Sequence, residues 1–470
     1  MWEGLGRFAA MPPWLAALAD PARVEAALRP AVPGLRHATL GEVRLKRKAW
    51  TARCELAVAA SGSDGRPGGQ PGGPAVDQAG ERLVHRVATI IPPRAHDKDD
   101  GDDEAGEAAA RLVLDPDEQV EAPLPALALL TDPERARELL ERAIRAGTPA
   151  YRELRILGVT PRVMRYTPGS RCTIRYRLEL APGSPGPGVV VAKTYHRSGK
   201  GRIAWEGMGA LWDSPLARSE VVAVAAPLAW LPELNVLVQG PVREERTLKD
   251  LLLEALTTGD EANLGVLRAQ LARTAAGLAE LHRCGAPSAQ LVTWDDELAE
   301  VRQVLDRLAP RVPELEGAAD PFLDDLRRFA ARVPADPALP AHRSFRPAQV
   351  LLYHDEIAFI DFDGFCHAEP ALDLALFRAT IRDLGIGAFP PGVPTETRLD
   401  RLDQLCDEFL AAYERLAPVS RERVALWEAL DLFTNVLHSW TKIRPARLAH
   451  ATTLLQHHLA GLVAAFAPQM

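Results

Sequence analysis

The sequence has few cysteines, few lysines and no long apolar run. Its five cysteines are scattered, odd in number and never spaced like metal ligands, which argues against a disulfide framework and for a reducing compartment. No apolar run is long enough to span a membrane, and the start of the chain lacks a basic segment followed by an apolar core. We therefore expect a cytoplasmic protein that does not bind membranes.

Charge narrows the function further. The net charge of −8 at pH 7 gives no general reason to bind nucleic acid.

Lysine occurs at only seven positions, although Lys and Arg together number 55. Lys193, which closes the apolar run 189–192, is therefore notable. The 470 residues are enough for two lobes and an extension, each with its own core.

Composition and periodicity predict an α+β chain in three parts. We expect an N-terminal extension over 1–150, a β-rich N-lobe over 151–241 and a mainly helical C-lobe over 242–470. The extension is interrupted by a Gly/Pro/Ser-rich stretch at 60–80 and an acidic stretch at 94–110, both too polar to build a core. We expect both stretches to be disordered.

The order of predicted elements occurs twice. Strand, turn, alternating strand, Gly/Pro loop and strand follow one another over 43–91 and again over 163–193. This is either an internal duplication of a β unit or a chance likeness. Between the two, Pro133 and Glu134 after Thr131 predict a helix that is capped by Thr131 and runs to about Arg145.

Residues 341–364 are the most informative segment. The apolar runs 350–353 and 357–360 around turn residues 354–356 predict a hairpin. Compared with the protein-kinase signature H-R-D-x-K-P-x-N, the segment before the hairpin keeps the spacing without a gap. The residues at the matching positions are His342, Arg343, Ser344 at the catalytic Asp, Arg346 at the Lys and Gln349 at the Asn.

The segment after the hairpin completes the pattern. Asp361-Phe362 lies twelve positions beyond Gln349, as a metal-binding Asp-Phe pair would. Together with residues 368–375, it resembles the aminoglycoside and choline phosphotransferase family, with the maltokinase-like branch nearest. The resemblance covers about 160–380. It implies a two-lobed, protein-kinase-like fold that binds ATP and Mg²⁺, with nucleotide and a small-molecule acceptor or a protein as partners.

The resemblance implies a metal site at the end of the hairpin. Asp361 would hold Mg²⁺, a hard cation that prefers oxygen ligands, and Gln349 would supply a carbonyl oxygen. Asp363 either joins the site or caps the turn. Asp373 matches a residue that anchors the catalytic loop from below.

Nucleotide contacts are implied on the N-lobe. Lys193 would pair with the phosphates of ATP, with Glu206 as its carboxylate partner and Glu220 as the alternative. Gly169 and Ser170 lie in a turn that either covers a phosphate or is a plain hairpin turn.

The segment 236–240 also has two interpretations. Gln239 either meets the adenine ring at a hinge or ends a buried strand before Gly240-Pro241.

Ser344 decides the functional question. A general base contributes roughly 10²–10⁴ in rate, and the neutral hydroxyl of serine is a poor base at pH 7. Arg346 can still clamp a phosphate, and phosphoryl transfer depends mainly on metal, cations and alignment. Two functions remain open: a pseudokinase-type sensor or regulator that binds Mg·ATP, and an active phosphotransferase for a sugar, aminoglycoside or amino alcohol.

Overall fold

The computed structural model describes residues 2–46, 49–59, 81–93, 110–114, 124–167, 169–196 and 198–466. The inserts predicted at 60–80 and 94–110 lie outside these residues, apart from the buried Ala110. The chain divides into two compact units. The first unit comprises Met1–Val120, Glu297–Arg328 and Leu432–Ala460, and the second comprises Glu121–Asp296, Phe329–Asp431 and Gly461–Met470.

Strands and α-helices are numbered here in chain order. The strands are β1 (Leu35–Leu45), β2 (Trp50–Ala59), β3 (Glu81–Ile91), β4 (Arg111–Leu114), β5 (Ile156–Thr167), β6 (Arg171–Leu180), β7 (Val189–Tyr195), β8 (Ala223–Val224), β9 (Pro227–Leu231), β10 (Val236–Gln239), β11 (Arg246–Thr247), β12 (Leu339–Ala341), β13 (Val350–Tyr353), β14 (Glu356–Phe359) and β15 (Cys366–Ala368). The helices are α1 (Pro13–Ala16), α2 (Pro21–Leu28), α3 (Leu127–Thr131), α4 (Pro133–Gly147), α5 (Ser198–Trp212), α6 (Leu248–Thr258), α7 (Glu261–Arg283), α8 (Trp294–Leu308), α9 (Asp320–Arg332), α10 (Pro370–Gly385), α11 (Thr395–Glu414), α12 (Arg421–Thr441) and α13 (Pro445–Phe466).

The first unit contains an antiparallel sheet in the order β1-β2-β3-β4. Alternation along β2 buries Trp50, Cys54 and Leu56 on one face. Helix α2 packs against β1. It begins where Asp20 accepts a hydrogen bond from the Ala22 N–H and Pro21 occupies the first helical position.

The second unit contains a five-stranded antiparallel sheet in the order β5-β6-β7-β10-β9. Strand β6 buries Cys172, Ile174, Tyr176 and Leu178 on one face, as its alternation predicts. Residues of α4 join this core, so the helix covers that face. The other face of β6 and β7 is left for polar side chains.

Helix α4 begins one residue later than the sequence suggested. Its N-cap is Asp132, whose carboxylate accepts a hydrogen bond from the Arg135 N–H at 2.9 Å. Thr131 instead ends α3, where its hydroxyl donates to the Leu127 carbonyl. The prediction of a Thr131 cap is therefore wrong, because Asp at 132 satisfies the free N–H groups and Pro133 already fills the first turn.

The helical part of the second unit carries the predicted hairpin. Strands β13 and β14 pair with Val350 opposite Phe359, and the turn contracts to His354 and Asp355. The long helices α11, α12 and α13 follow in this part of the sequence, within the region 242–470 that was expected to be mainly helical.

The second unit thus combines a β-rich part with a mainly helical part, which confirms the expected α+β fold class. Both units contain a helix followed by three antiparallel strands, α2 with β1–β3 and α4 with β5–β7. Internal duplication remains a prediction. Among the described residues, no helix is long and apolar enough to cross a membrane.

Candidate active site

The β13–β14 hairpin places Gln349 and Asp361 at the same end. Gln349 precedes β13, Asp361 lies two residues after β14, and the Ile360 N–H donates to the Gln349 carbonyl at 3.1 Å. The side-chain Oε1 of Gln349 is buried and has no hydrogen-bond partner. Since buried polar atoms are rarely left unpaired, this oxygen is available to a ligand.

Lys193 lies inside β7, between β6 and β10, and only 9% of it is exposed. The strand runs on to Tyr195, so Lys193 does not end it. The Lys193 Nζ donates to Asp361 Oδ1 at 2.7 Å and to Asp363 Oδ1 at 3.2 Å. Two of the predicted metal residues are therefore the actual partners of the predicted phosphate lysine.

The pKa values of this ion pair follow from burial and charge. Burial lowers the pKa of Lys193, but the nearby carboxylates of Asp363 and Asp361 outweigh burial and raise it above its ordinary value. Burial raises the pKa of Asp361, but Lys193 and Arg171 outweigh it and hold this pKa well below its usual range. Both groups are therefore charged at neutral pH.

Arg171 and Tyr195 complete the network around Asp363. The Tyr195 hydroxyl donates to Asp363 Oδ1 at 2.9 Å, and Arg171 Nη1 donates to Asp363 Oδ2 at 3.2 Å. Burial and the Asp363 charge raise the pKa of Tyr195 well above its ordinary value. Arg171 and Tyr195 are opposite each other in the β6–β7 ladder, so their side chains share one face.

Sequence reasoning assigned no role to Arg171 or Tyr195. A signal was present, since residues 193 and 195 lie on the same face of a strand. Their common carboxylate partner lies more than 160 positions away, however, and strand alternation carries no information about that distance.

The catalytic-type loop, residues 342–346, is held by hydrogen bonds to α10 and to Ile360. After β12, the His342 N–H donates to Asp373 Oδ2 at 2.6 Å, and His342 Nε2 lies 3.0 Å from the Ile360 carbonyl oxygen. Ser344 Oγ lies 3.3 Å from His342 Nδ1. Asp373, on α10, therefore contacts the loop backbone, as the resemblance implies for the residue at this position.

Two residues in these loops have positive φ. Arg343 has φ of 63° and Asp361 has φ of 75°, in the left-handed region that side chains other than glycine rarely adopt. Such strain persists only where surrounding contacts impose it, and it concentrates at functional sites.

Of the remaining predicted residues, Glu206 is not brought to Lys193. It is exposed and pairs with Arg202 at 2.9 Å, one turn earlier on α5. Glu220, the alternative, is also exposed. Lys193 instead donates to Asp361 and Asp363, which lie in residues 360–364 after β14, called the metal loop from here on. The Glu206 prediction fails because α5 turns that side chain to solvent.

The other predicted site residues lie in three separate segments of the second unit. Gly169 and Ser170 form the turn between β5 and β6, with Gly169 at φ of 64°. Gln239 ends β10 and is 6% exposed, opposite Val191 of β7. Arg346 is exposed in the catalytic-type loop.

The donor set fits Mg²⁺ with a bound phosphate. Two carboxylates, Asp361 and Asp363, and the unpartnered oxygen of Gln349 supply the hard oxygen ligands that this ion takes. Mg²⁺ sites of this kind use one or two carboxylates and complete the coordination with phosphates and water. Among the described residues, no three or more His, Cys, Asp and Glu side chains are clustered so that they alone could hold a metal ion.

One protein-family model matches part of the chain, most of it in the helical part of the second unit. Residues 212–419 match the sequence model of the phosphotransferase enzyme family, a region that includes Ser344, Gln349 and Asp361 but begins after Lys193. A comparison with curated proteins found no match.

Several solved structures are similar to the chain. A glucosamine kinase covers 96% of this chain and 99% of its own at 14% identity, with a TM-score of 0.45. Choline kinase from Cryptosporidium parvum Iowa II covers 71% of this chain and 96% of its own at 13% identity, with a TM-score of 0.45. The ADP-bound aminoglycoside phosphotransferase APH(2'')-Ib covers 64% and 93% at 15% identity, with a TM-score of 0.42. The match to the phosphotransferase enzyme family therefore covers residues 212–419 of the 470.

Proposed function

We propose that the second unit binds Mg·ATP but is impaired in phosphoryl transfer to a separate acceptor, and that the protein acts as a nucleotide-dependent regulator or sensor. One observation carries the proposal. The nucleotide half of the site holds Lys193 within 2.7 Å of Asp361, whereas the acceptor half places the neutral Ser344 where the family has a carboxylate.

The charges of the nucleotide half suit a metal-bound triphosphate. Lys193 and Arg171 balance Asp361 and Asp363 in the structure. A phosphate would compete for Lys193 and release Asp361 for Mg²⁺, and the free oxygen of Gln349 would join it. When bound, Mg²⁺ neutralises charge that develops on the transferring phosphoryl group. The exchange leaves no buried charge without a partner.

The acceptor half lacks a strong base. Residues 342–346 contain no carboxylate, and Asp363 is already engaged by Lys193, Tyr195 and Arg171. Without a carboxylate to accept the proton of an incoming hydroxyl, we expect transfer to be slower by roughly 10²–10⁴.

A second candidate is a working phosphotransferase that acts on a hydroxyl of a sugar, aminoglycoside or amino alcohol. The contact between Ser344 and His342 Nδ1 favours it, since an imidazole nitrogen can accept a proton. The family match over 212–419 is compatible with either candidate.

Calorimetric titration with Mg·ATP tests the nucleotide half. We expect Lys193→Ala to weaken binding by at least about 10-fold, as loss of a charged contact to phosphate would. Lys200→Ala is the matched control, because Lys200 is exposed on α5, and it should bind as the wild type does.

Assays of ADP formation with sugars, amino sugars and amino alcohols test the acceptor half. Little ADP above the background without acceptor supports impaired transfer. Turnover at about 1–100 s⁻¹ with one metabolite, the range of ordinary kinases, would establish the second candidate instead. No binding of Mg·ATP at any accessible concentration would exclude both.

A further inference from the structure

Ser344 belongs to a hydrogen-bonded chain whose polarity can be assigned. His342 Nε2 lies 3.0 Å from the Ile360 carbonyl oxygen, which can only accept, so Nε2 must carry the proton. In the neutral ring, Nδ1 is then an acceptor. The Ser344 hydroxyl at 3.3 Å therefore donates to it. The opposite direction would set Nε2 and the carbonyl oxygen against each other as two acceptors.

The imidazole in this chain is held firmly. The His342 side chain is fully buried, with the Phe362 ring centroid 4.7 Å away and that of Phe345 at 5.5 Å. Its backbone N–H is tied to Asp373. A serine that donates to a fixed imidazole, itself oriented by an acceptor on its far nitrogen, has the arrangement of an activated nucleophile.

This serine lies in a loop that packs directly on the metal loop. A Cβ added at Gly364 would lie 3.4 Å from both the His342 carbonyl oxygen and Arg343 Cβ, which is ordinary van der Waals distance, so the two loops are in direct contact. The carbonyl that orients His342 belongs to Ile360, which precedes Asp361. Ser344 is half-buried, so part of it is exposed to solvent.

We propose that Ser344 is itself a phosphoryl acceptor, and that the chain phosphorylates Ser344 with ATP. The inference rests on the proposed binding of Mg·ATP. A bond forms between Ser344 Oγ and the γ-phosphorus, the bond from that phosphorus to the bridging oxygen breaks, and ADP leaves with the electron pair. The serine proton passes to His342 Nδ1, while the other proton of the ring stays on Nε2, which continues to donate to the Ile360 carbonyl oxygen.

The product places an anion where the family has a carboxylate. A phosphoserine carries a charge of about −1.5 to −2 at pH 7 and three acceptor oxygens. It would lie between Arg343 and Arg346 in sequence, beside the imidazolium formed by the transfer. Because Ser344 is consumed, the reaction stops after one event per chain and records exposure to ATP, as suits a regulator rather than a catalyst.

Intact-mass measurement tests the proposal. The full chain, treated with phosphatase and freed of it, is incubated with Mg·ATP, and the modified residue is located by peptide mapping. We expect one added phosphoryl group per chain, on Ser344, at a rate independent of protein concentration. Ser344→Ala should remain unmodified, and Ser344→Thr, which keeps a hydroxyl, should still be modified.

Variants of the nucleotide half separate self-modification from a contaminating kinase. Asp361→Asn and Lys193→Ala, each checked for cooperative unfolding, should lose the modification, and Lys200→Ala should keep it. Wild type that binds Mg·ATP by calorimetry but stays unmodified would overturn this inference and leave the proposed function standing. Modification at another residue, or equal modification of Asp361→Asn, would also overturn it. Absence of ATP binding would overturn both.

Discussion

The metal loop and the catalytic-type loop of the second unit share one backbone feature and differ in the charge of their side chains. Each holds one non-glycine residue at positive φ, Asp361 in the first and Arg343 in the second, and a hydrogen bond from His342 to the Ile360 carbonyl joins them. The metal loop, however, presents two carboxylates to Lys193, while residues 342–346 present none. In the proposed function, this missing carboxylate is the group that would accept the proton of an acceptor hydroxyl.

This difference separates binding from transfer. In the proposed function, binding of Mg·ATP would depend on the oxygen ligands of the metal loop and on the cations of β6 and β7, Arg171 and Lys193. Transfer to an added hydroxyl also requires a base at position 344. Changes to one loop should therefore affect one step and leave the other nearly unchanged.

The largest expected effect comes from restoring the carboxylate. Ser344→Asp should raise ATP turnover, with water or a supplied hydroxyl as acceptor, by roughly 10²–10⁴ because it supplies a general base. Mg·ATP affinity should change little. Ser344→Asn is the matched control, since it has the shape of Asp without the charge; an equal rate in both variants would show that size rather than basicity limits transfer.

Removal of the free oxygen should weaken the metal loop. Gln349→Leu deletes the buried Oε1 that lacks a partner. Removal of a group that only supports a metal ligand costs roughly 10-fold or more in affinity, so we expect removal of this proposed ligand to cost at least as much metal-dependent ATP affinity. Its stability should be unchanged or slightly higher, since a buried unpaired group costs free energy. Gln349→Asn should retain part of the affinity. Unaltered binding in Gln349→Leu, by calorimetry, would remove Gln349 from the site.

At acid pH, Asp361 of the same loop should contribute less to the free energy of unfolding. The lowered pKa of Asp361 means that its ionised form adds stability above the ordinary Asp pKa of about 3.9, and that this stability is lost as pH falls below that value. Urea unfolding of the wild type should therefore lose stability more steeply between about pH 5 and pH 2 than that of Asp361→Asn.

The size of this effect has an upper bound. At pH 7 Asp361→Asn should cost less than the roughly 3–5 kcal/mol of an unpaired buried charge, because Asp363 still pairs with Lys193. Parallel pH profiles for the two proteins would contradict the assignment of the ion pair.

The smallest effect is expected at Tyr195. Tyr195→Phe removes a hydrogen bond to Asp363 and should cost about 1–2 kcal/mol of unfolding free energy with a few-fold loss of ATP affinity. Tyr176→Phe is the control, because its buried hydroxyl donates to the Leu130 carbonyl on the opposite face of the sheet. Tyr176→Phe should reduce stability without changing ATP affinity. If both variants lost the same amount of ATP affinity, Tyr195 would act only through stability.

The sequence singled out residues that the structure brings together. Spacing in one signature identified Gln349 and Asp361, and the rarity of lysine singled out Lys193, which contacts Asp361. The roles of these residues in a site stay predictions. Alternation of apolar and polar residues also predicted β6, and two apolar runs around a turn predicted the β13–β14 hairpin.

What the sequence did not predict depends on tertiary contact. Arg171 and Tyr195 reach Asp363 across more than 160 positions, and no local pattern encodes that distance. Glu206 was chosen because it lies on the next helix, but the rotation of α5, which directs it to Arg202, is set by packing. Donation from Ser344 to His342 required knowing that a carbonyl occupies the other nitrogen.

The most direct test of the central claim is the Mg²⁺ dependence of ATP binding, measured by calorimetry on wild type and Asp361→Asn. We predict saturable binding to the wild type that weakens by at least about 10-fold without Mg²⁺. In Asp361→Asn, binding should be weak and nearly independent of the metal. Equal binding by both proteins, with and without Mg²⁺, would contradict the account, because the metal loop would then take no part in holding the nucleotide.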